Sequence, residues 1–126
     1  MEIAPELIEE MVAHSREEAP NECCGMVASV DGHAVAVRRA TNLAASPLRF
    51  EVDGRELLRV LDEFESAGHE LGAIYHSHTR TEPYPSQTDI NFAAGWPGLR
   101  WVIVGLSDDE AVVRTYTIDD GTVTEL

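Results

Sequence analysis

Two histidines separated by a single residue, His76 and His78, end the apolar run "ELGAIYHSH". Residues two apart on a β-strand point to the same face of a sheet, so the two imidazoles converge if the strand continues through them. Converging imidazoles are good ligands for Zn²⁺. Asp89 lies in the predicted first turn of the next helix, and the intervening loop can return its carboxylate to the strand end. Two histidines and one carboxylate would leave a fourth tetrahedral position for water, which is typical of catalytic zinc sites.

Each part of this pattern also has an ordinary structural explanation. Histidines on a strand are often hydrogen-bonded in a core or exposed to water, and Ser86-x-x-Asp89 is the sequence of a capping box at a helix start. The other histidines lack such neighbours. We expect His14 on the surface of the first helix, His33 at a hairpin and His69 in a turn.

The elements that must position these side chains are indicated by hydrophobic periodicity. Apolar residues at helical spacing predict a first helix that starts at Pro5 and ends before Pro20. A second helix is predicted for residues 55–67, with Gly68 as its stop signal, and a third begins at its N-cap Ser86. Apolar or alternating runs predict strands in "CCGMVASV", "HAVAVRR", "RFEV", "ELGAIYH", "RWVIVGLS" and "AVVRTYTI".

The order of these elements predicts the fold class. Helices and strands are interspersed, and Asp31-Gly32 and Asp120-Gly121 are typical of tight hairpin turns. We therefore expect an α/β or α+β fold with a mixed, mostly antiparallel sheet flanked by helices. At 126 residues and 44% apolar composition, one domain spanning residues 1–126 is expected.

Composition also excludes several classes of function. Nine basic against 23 acidic residues give a net charge of −14, which argues against binding nucleic acid. No run of about 18 apolar residues is present to cross a membrane, and the acidic N-terminus lacks the basic region of a signal peptide. We therefore expect a cytoplasmic protein. Adjacent cysteines rarely bridge each other, so Cys23 and Cys24 are expected to be small buried hydrophobic residues, with a reactive thiol as the alternative.

The complete pattern is more specific than its parts. His-Ser-His, seven residues, Ser, two residues and Asp resembles the JAMM motif of the MPN+ metalloprotease family. That motif includes an upstream glutamate near the first core strand, which "PNECCGMV" supplies as Glu22. The resemblance implies a single MPN domain with a cytidine-deaminase-like fold and one Zn²⁺ per chain. It assigns the metal to His76, His78 and Asp89, and the catalytic roles to Glu22 and Ser86.

A narrower resemblance involves the loop "TRTEPYPS". Thr81, Tyr84, Pro85 and Ser86 are similar to a segment of stand-alone bacterial family members that act in cysteine biosynthesis. Those enzymes release cysteine from the C-terminal glycine of a ubiquitin-like sulfur-carrier protein. The resemblance implies that the carrier's Gly-Gly tail is the partner. The loop, with two prolines and the aromatic Tyr84, would form the wall of the groove for this tail. Arg80 would contact the carboxylate of the departing cysteine; a solvated loop arginine is the alternative.

Two other functions stay open at this stage. One is a broader JAMM isopeptidase that removes ubiquitin-like modifiers from lysines, and the other is a non-catalytic MPN module that binds without cleaving. A zinc deaminase is excluded, because its His-x-Glu and Pro-Cys-x-x-Cys signature is absent. A homodimer is compatible with a compact α/β enzyme, but the sequence indicates no interface.

Overall fold

The structure, a computed structural model that describes residues 1–126, consists of three helices and six strands in one sheet. In chain order the elements are α1 (Pro5–Glu18), β1 (Cys24–Val30), β2 (His33–Ala40), α2 (Gly54–Ser66), β3 (Glu70–His78), α3 (Gln87–Ala93), β4 (Arg100–Gly105), β5 (Val112–Asp119) and β6 (Thr122–Glu125). No helix is both long and apolar enough to cross a membrane.

The strand order in the sheet is β2-β1-β3-β4-β5-β6. The central pair, β3 and β4, is parallel, and every other neighbouring pair is antiparallel. This confirms the mixed, mostly antiparallel sheet that the sequence predicts. Strands at the centre of a sheet are covered on both faces, and this explains why β3 and β4 consist of nearly unbroken apolar runs.

Helices cover both faces of the sheet. On the α2–α3 face, Phe64 of α2 and Ala93 of α3 belong to the same buried cluster as Ile74 and Ile103. On the α1 face, Met11 packs in a second cluster, whose other buried members are Cys23, Val27, Ala73, Tyr75, Val102 and Val104. Because side chains alternate along β3, its even-numbered residues project to the α2–α3 face and its odd-numbered residues to the α1 face. The two histidines of β3 therefore share the α2–α3 face.

The predicted helix ends are confirmed to within a residue or two. α1 begins at Pro5 and stops two residues before Pro20. α2 ends at Ser66, and Gly68 follows with φ of +78°, the left-handed conformation that glycine adopts without strain. α3 has Ser86 as its N-cap, as predicted.

Two expectations are wrong. The segment "RFEV" forms no strand; only Val52 pairs, in an isolated bridge with Asn42. The Asn42 side-chain oxygen accepts hydrogen bonds from the backbone N–H groups of Ala44 and Glu51. These bonds take the place of the backbone hydrogen bonds that a strand would form. His14 is buried rather than on the surface of α1. Its Nδ1 lies 2.7 Å from the hydroxyl of Tyr75, which gives the buried ring a polar partner.

Both cysteines are buried free thiols, as the sequence analysis expects. Cys24 packs on the α2–α3 face and Cys23 on the α1 face. Burial raises the pKa of Cys24 to about 12, and burial also raises the pKa of Cys23. The thiolate, which is the reactive form, is therefore disfavoured at neutral pH.

The close contact between Gly25 and Tyr75 gives a test of this packing. A Cβ atom at Gly25 would lie 2.2 Å from Cε1 of Tyr75, whose ring is fully buried and held by His14. We expect Gly25→Ala to lower the free energy of unfolding by about 1–3 kcal/mol, because the core is overpacked. Urea denaturation measures this. The matched control is Gly54→Ala, where a Cβ meets nothing within 4 Å and stability should not fall.

Candidate active site

The histidine pair lies at the end of β3. The strand continues through His78, and both imidazoles project to the α2–α3 face, with their Nε2 atoms 3.1 Å apart. In the parallel ladder His76 lies opposite Ile103 and His78 opposite Gly105, so β4 supports the strand up to its last residue. The predicted convergence of the two rings is confirmed.

Asp89 reaches the histidines through the cap of α3. The Ser86 hydroxyl oxygen accepts the backbone N–H of Asp89 at 3.2 Å, and the backbone N–H of Ser86 donates to Asp89 Oδ2 at 2.9 Å. The same Oδ2 lies 3.0 Å from His76 Nε2 and 3.2 Å from His78 Nε2. Burial favours the neutral acid, but contacts with His76 and His78 outweigh burial and lower the pKa of Asp89. The capping box is therefore part of the site, because its hydrogen bonds direct the Asp89 carboxylate towards the two histidines.

Glu22 lies beside this triangle, just before β1. A carboxylate oxygen of Glu22 and one ring nitrogen from each of His76 and His78 all lie within 4.8 Å of one another. The backbone N–H of Glu22 donates to the Ser46 carbonyl at 2.9 Å, and its own carbonyl accepts from Asn42 Nδ2 at 3.0 Å. Its carboxylate is buried, and Oε1 has no hydrogen-bond partner. Burial raises the pKa of Glu22 to about 7, against the opposing influence of His78.

Neighbouring groups fix the orientation of both rings. Nδ1 of His78 lies 2.9 Å from the backbone carbonyl oxygen of Glu82. Because a carbonyl oxygen can only accept, the ring proton of neutral His78 is on Nδ1 and Nε2 presents a lone pair. Phe50 stacks on His76 with ring centroids 4.5 Å apart and planes 25° apart. Burial lowers the pKa of His76, which favours the neutral imidazole that binds metals.

These contacts fit a bound cation better than a network of hydrogen bonds. While His78 is neutral, its Nε2 lone pair faces the Asp89 carboxylate with no proton between the two acceptors. Burial opposes a positive charge on His78, but Asp89 and the Glu82 carbonyl outweigh burial and raise the pKa of His78, so the surroundings favour a positive charge here. Nδ1 of His76 is also buried without a partner. Ligands about 2.0–2.1 Å from a tetrahedral Zn²⁺ are separated by about 3.3 Å. The observed separations among the three donor atoms are 3.0–3.2 Å, so the donor set and its spacing suit a divalent metal.

Ser77, between the two histidines, projects to the α1 face, as expected for the odd position of the strand. Its hydroxyl oxygen accepts the backbone N–H of Cys23 at 2.8 Å. Because Cys23 directly follows Glu22, this buried hydrogen bond joins the histidine strand to the segment that carries the glutamate. The position excludes Ser77 as a nucleophile at the histidine cluster.

The remaining predicted site residues surround the cluster in the loop before α3. Ser86 is exposed at the helix cap, and Tyr84 is 51% exposed and packs edge-to-face against Tyr116. The Tyr116 hydroxyl donates to the carbonyl of Pro83 and anchors this loop to β5. Arg80 is exposed two residues beyond His78. The structure therefore brings together Glu22, His76, His78 and Asp89 and places the other three on the adjoining loop.

Sequence patterns missed two residues that position the site. Both lie in the 41–53 segment between β2 and α2. Phe50 contacts His76, and Asn42 contacts the backbone of Glu22 while its side chain makes four hydrogen bonds in all. No periodicity points to either residue. The only signal was an isolated aromatic residue in a polar loop.

Comparison with known proteins agrees with this geometry. The six-stranded sheet flanked by three helices matches a protein from Desulfitobacterium hafniense with a TM-score of 0.89 and 31% identity, covering 98% of this chain and 88% of that one. A JAB1/MPN domain protein from Archaeoglobus fulgidus has the same fold, with a TM-score of 0.64 and 17% identity over 100% and 96% of the two chains. The MPN-type fold is therefore confirmed.

Residues 4–119 match the prokaryotic homologs of the JAB domain, so the chain belongs to this family. A relative named CysO-cysteine peptidase, from Mycobacterium tuberculosis, is 40% identical over 126 residues, which cover 98% of this chain and 86% of the relative. A relative named desampylase, from Haloferax volcanii, is 36% identical over 128 residues, covering 95% and 90%. The resemblance to the JAMM/MPN family is thereby confirmed over nearly the whole chain.

The buried carboxyl of Glu22 predicts a pH effect in metal-free protein. Because its folded pKa of about 7 exceeds the ordinary 4.5, the native state binds this proton more tightly than the unfolded chain. Its contribution is fully present below 4.5 and is lost as the pH rises through 7. We expect Glu22→Gln to raise the free energy of unfolding at pH 8 by about 3 kcal/mol and to change it little at pH 4.5.

Urea denaturation in the presence of a chelator measures this difference. Glu65→Gln is the matched control, because Glu65 is an exposed glutamate on α2 without an ion pair. If the free energy of unfolding changes with pH equally in the wild type and Glu22→Gln, the raised pKa of Glu22 is contradicted.

Proposed function

We propose that this protein is a zinc-dependent hydrolase that cleaves the amide bond after the C-terminal glycine of a ubiquitin-like sulfur-carrier protein and releases cysteine. The observation that carries the proposal is the convergence of His76, His78 and Asp89, with the buried Glu22 beside them. The name of the Mycobacterium relative, CysO-cysteine peptidase, supports the choice of substrate.

His76, His78 and Asp89 would hold one zinc ion per chain. A zinc ion bound there supplies Lewis-acid activation of a water molecule and of the scissile carbonyl. Glu82 and Phe50 hold the two rings in orientations in which their Nε2 atoms would be available to a bound zinc ion. The capping box does the same for the Asp89 carboxylate.

Glu22 is the general base in this proposal. A catalytic base works best when its pKa is close to the working pH, and burial raises the pKa of Glu22 to about 7. Its unpaired Oε1 is free to accept a proton from the attacking water. The same carboxyl then returns that proton to the amine that leaves. Backbone contacts with Ser46 and Asn42 hold Glu22 in place throughout.

Ser86 stabilises the oxyanion that forms on the scissile carbonyl. Its oxygen accepts the Asp89 N–H in the helix cap, so its own proton stays available for donation. Such a donor is worth about 2.7–4 kcal/mol in comparable sites. The carrier's extended Gly-Gly tail would pass along the loop that contains the half-exposed Tyr84.

Metal content and turnover test the site together. We expect about one zinc per chain in the wild type, retained in Glu22→Ala and lost in Asp89→Ala, because Asp89 is assigned as a ligand and Glu22 is not. Turnover of a carrier–cysteine conjugate, followed by mass spectrometry, should fall by about 10²–10⁴ in Glu22→Ala. A fully active zinc-free protein would reject the proposal, and capture of the conjugate without cleavage would favour a non-catalytic binding module.

A broader isopeptidase is the second candidate, because the name of the Haloferax relative, desampylase, points to a different conjugate. We expect this protein to cleave a carrier–cysteine conjugate faster than the same carrier joined to a lysine side chain. Parallel reactions with both conjugates, read by mass spectrometry, measure the ratio. Equal or faster cleavage of the lysine conjugate would assign the broader activity instead.

A further inference from the structure

A solvent-open cavity of about 530 Å³ lies between the end of α1 and the loop that follows β3. Its lining residues are Arg16, Ala19, Pro20, Thr79, Arg80 and Leu106. Two of them are arginines, one from the last turn of α1 and one from the loop after β3. The cavity therefore concentrates positive charge in a protein whose net charge is −14.

Neither of these arginines has a partner within the protein. Arg16 and Arg80 form no salt bridge and no side-chain hydrogen bond. Carboxylates do pair with most of the other arginines, namely Arg38, Arg39, Arg49, Arg59 and Arg114. Two free guanidinium groups lining one cavity are suited to an external anion, since each presents a planar fork of donors that matches a carboxylate.

Short connections join the cavity to the catalytic groups. Thr79 and Arg80 directly follow His78, and the backbone N–H of Leu106 donates to the His78 carbonyl at 3.0 Å. The Thr79 hydroxyl donates to the carbonyl of Pro20, two residues before Glu22, at 2.9 Å. The cavity wall is thus continuous with both segments that carry the site.

Arg80 lies close in the chain to the histidines of the site. Two residues of extended chain span at most about 7 Å, and this limits how far Arg80 lies from His78 along the backbone. An arginine side chain can extend by a similar distance. An amino acid linked through its α-nitrogen carries its carboxylate only two bonds from that nitrogen. A lysine linked through its side chain offers no such carboxylate, because its α-carboxyl group is in a peptide bond of the target protein and lies much further from the scissile bond.

We propose that Arg16 and Arg80 form a subsite for the free α-carboxylate of the amino acid that is released. This inference rests on the proposed function and deepens it, because it explains a preference for an α-linked amino acid over a lysine side chain. Arg80 contacts the carboxylate from the loop after the histidines, and Arg16 contacts it from the last turn of α1. Acidic side chains on the carrier could supply a carboxylate to the same arginines, so the experiment must distinguish them from the α-carboxylate of the released amino acid.

The test compares two conjugates that differ only in this carboxylate. One ends in cysteine and the other in cysteine amide, so carrier contacts are identical in both. We expect the wild type to cleave the free acid with a kcat/KM about 10-fold to 100-fold higher, the range for a hydrogen bond to a charged group. In Arg16→Ala and Arg80→Ala, that ratio of acid to amide should fall at least severalfold, towards one in the double variant.

The control is Arg55→Ala, which removes an exposed arginine without a salt bridge at the start of α2 and should leave the ratio unchanged. Arg80→Lys should restore part of the preference, because charge returns without the planar fork. Thermal melting verifies that each variant is folded.

The outcomes separate the subsite from the hydrolase. If the arginine variants cleave both conjugates more slowly by the same factor, the subsite is overturned, and the arginines bind the body of the carrier instead. A wild type that cleaves both conjugates at one rate would overturn the subsite alone. A wild type that cleaves neither conjugate would reject the proposed hydrolase and the subsite with it.

Discussion

The site depends on one electrostatic constraint: three electron-pair donors meet at the end of a buried strand without enough protons to join them. Nε2 of His76, Nε2 of His78 and Oδ2 of Asp89 lie 3.0–3.2 Å apart. The proton of His78 is held on the other side of its ring by the Glu82 carbonyl. The rest of the fold maintains this arrangement, which a cation would stabilise and which the protein alone leaves incompletely satisfied.

Regular secondary structure holds most of these donor atoms in place. The parallel β3–β4 ladder extends to His78, so the strand geometry that aligns the imidazoles does not fray before the last ligand. The capping box of α3 satisfies the helix terminus and directs Asp89 with the same hydrogen bonds. On the opposite face, Ser77 ties the strand to the segment of Glu22 through Cys23. Each local element therefore has its ordinary stabilising role and a positioning role at once.

Much of the fold and part of the site could be predicted from the sequence. The two helix stops, the central strands and the Ser86 cap follow from periodicity and turn chemistry, which are local. The errors have nonlocal causes. His14 has polar character but is buried because Tyr75, from another element, supplies its partner. The segment 49–52 has strand-like composition, yet the Asn42 side chain takes the backbone groups that a strand would pair.

By itself, the sequence determined which face of β3 the imidazoles share, because a period of two is intrinsic to any strand. It also determined where α3 begins and so where Asp89 stands in its first turn. Only the tertiary structure decided that Phe50 and Glu82 orient the rings and that Arg16 and Arg80 line one cavity. These features join residues far apart in the chain, and local spacing carries no information about such distances.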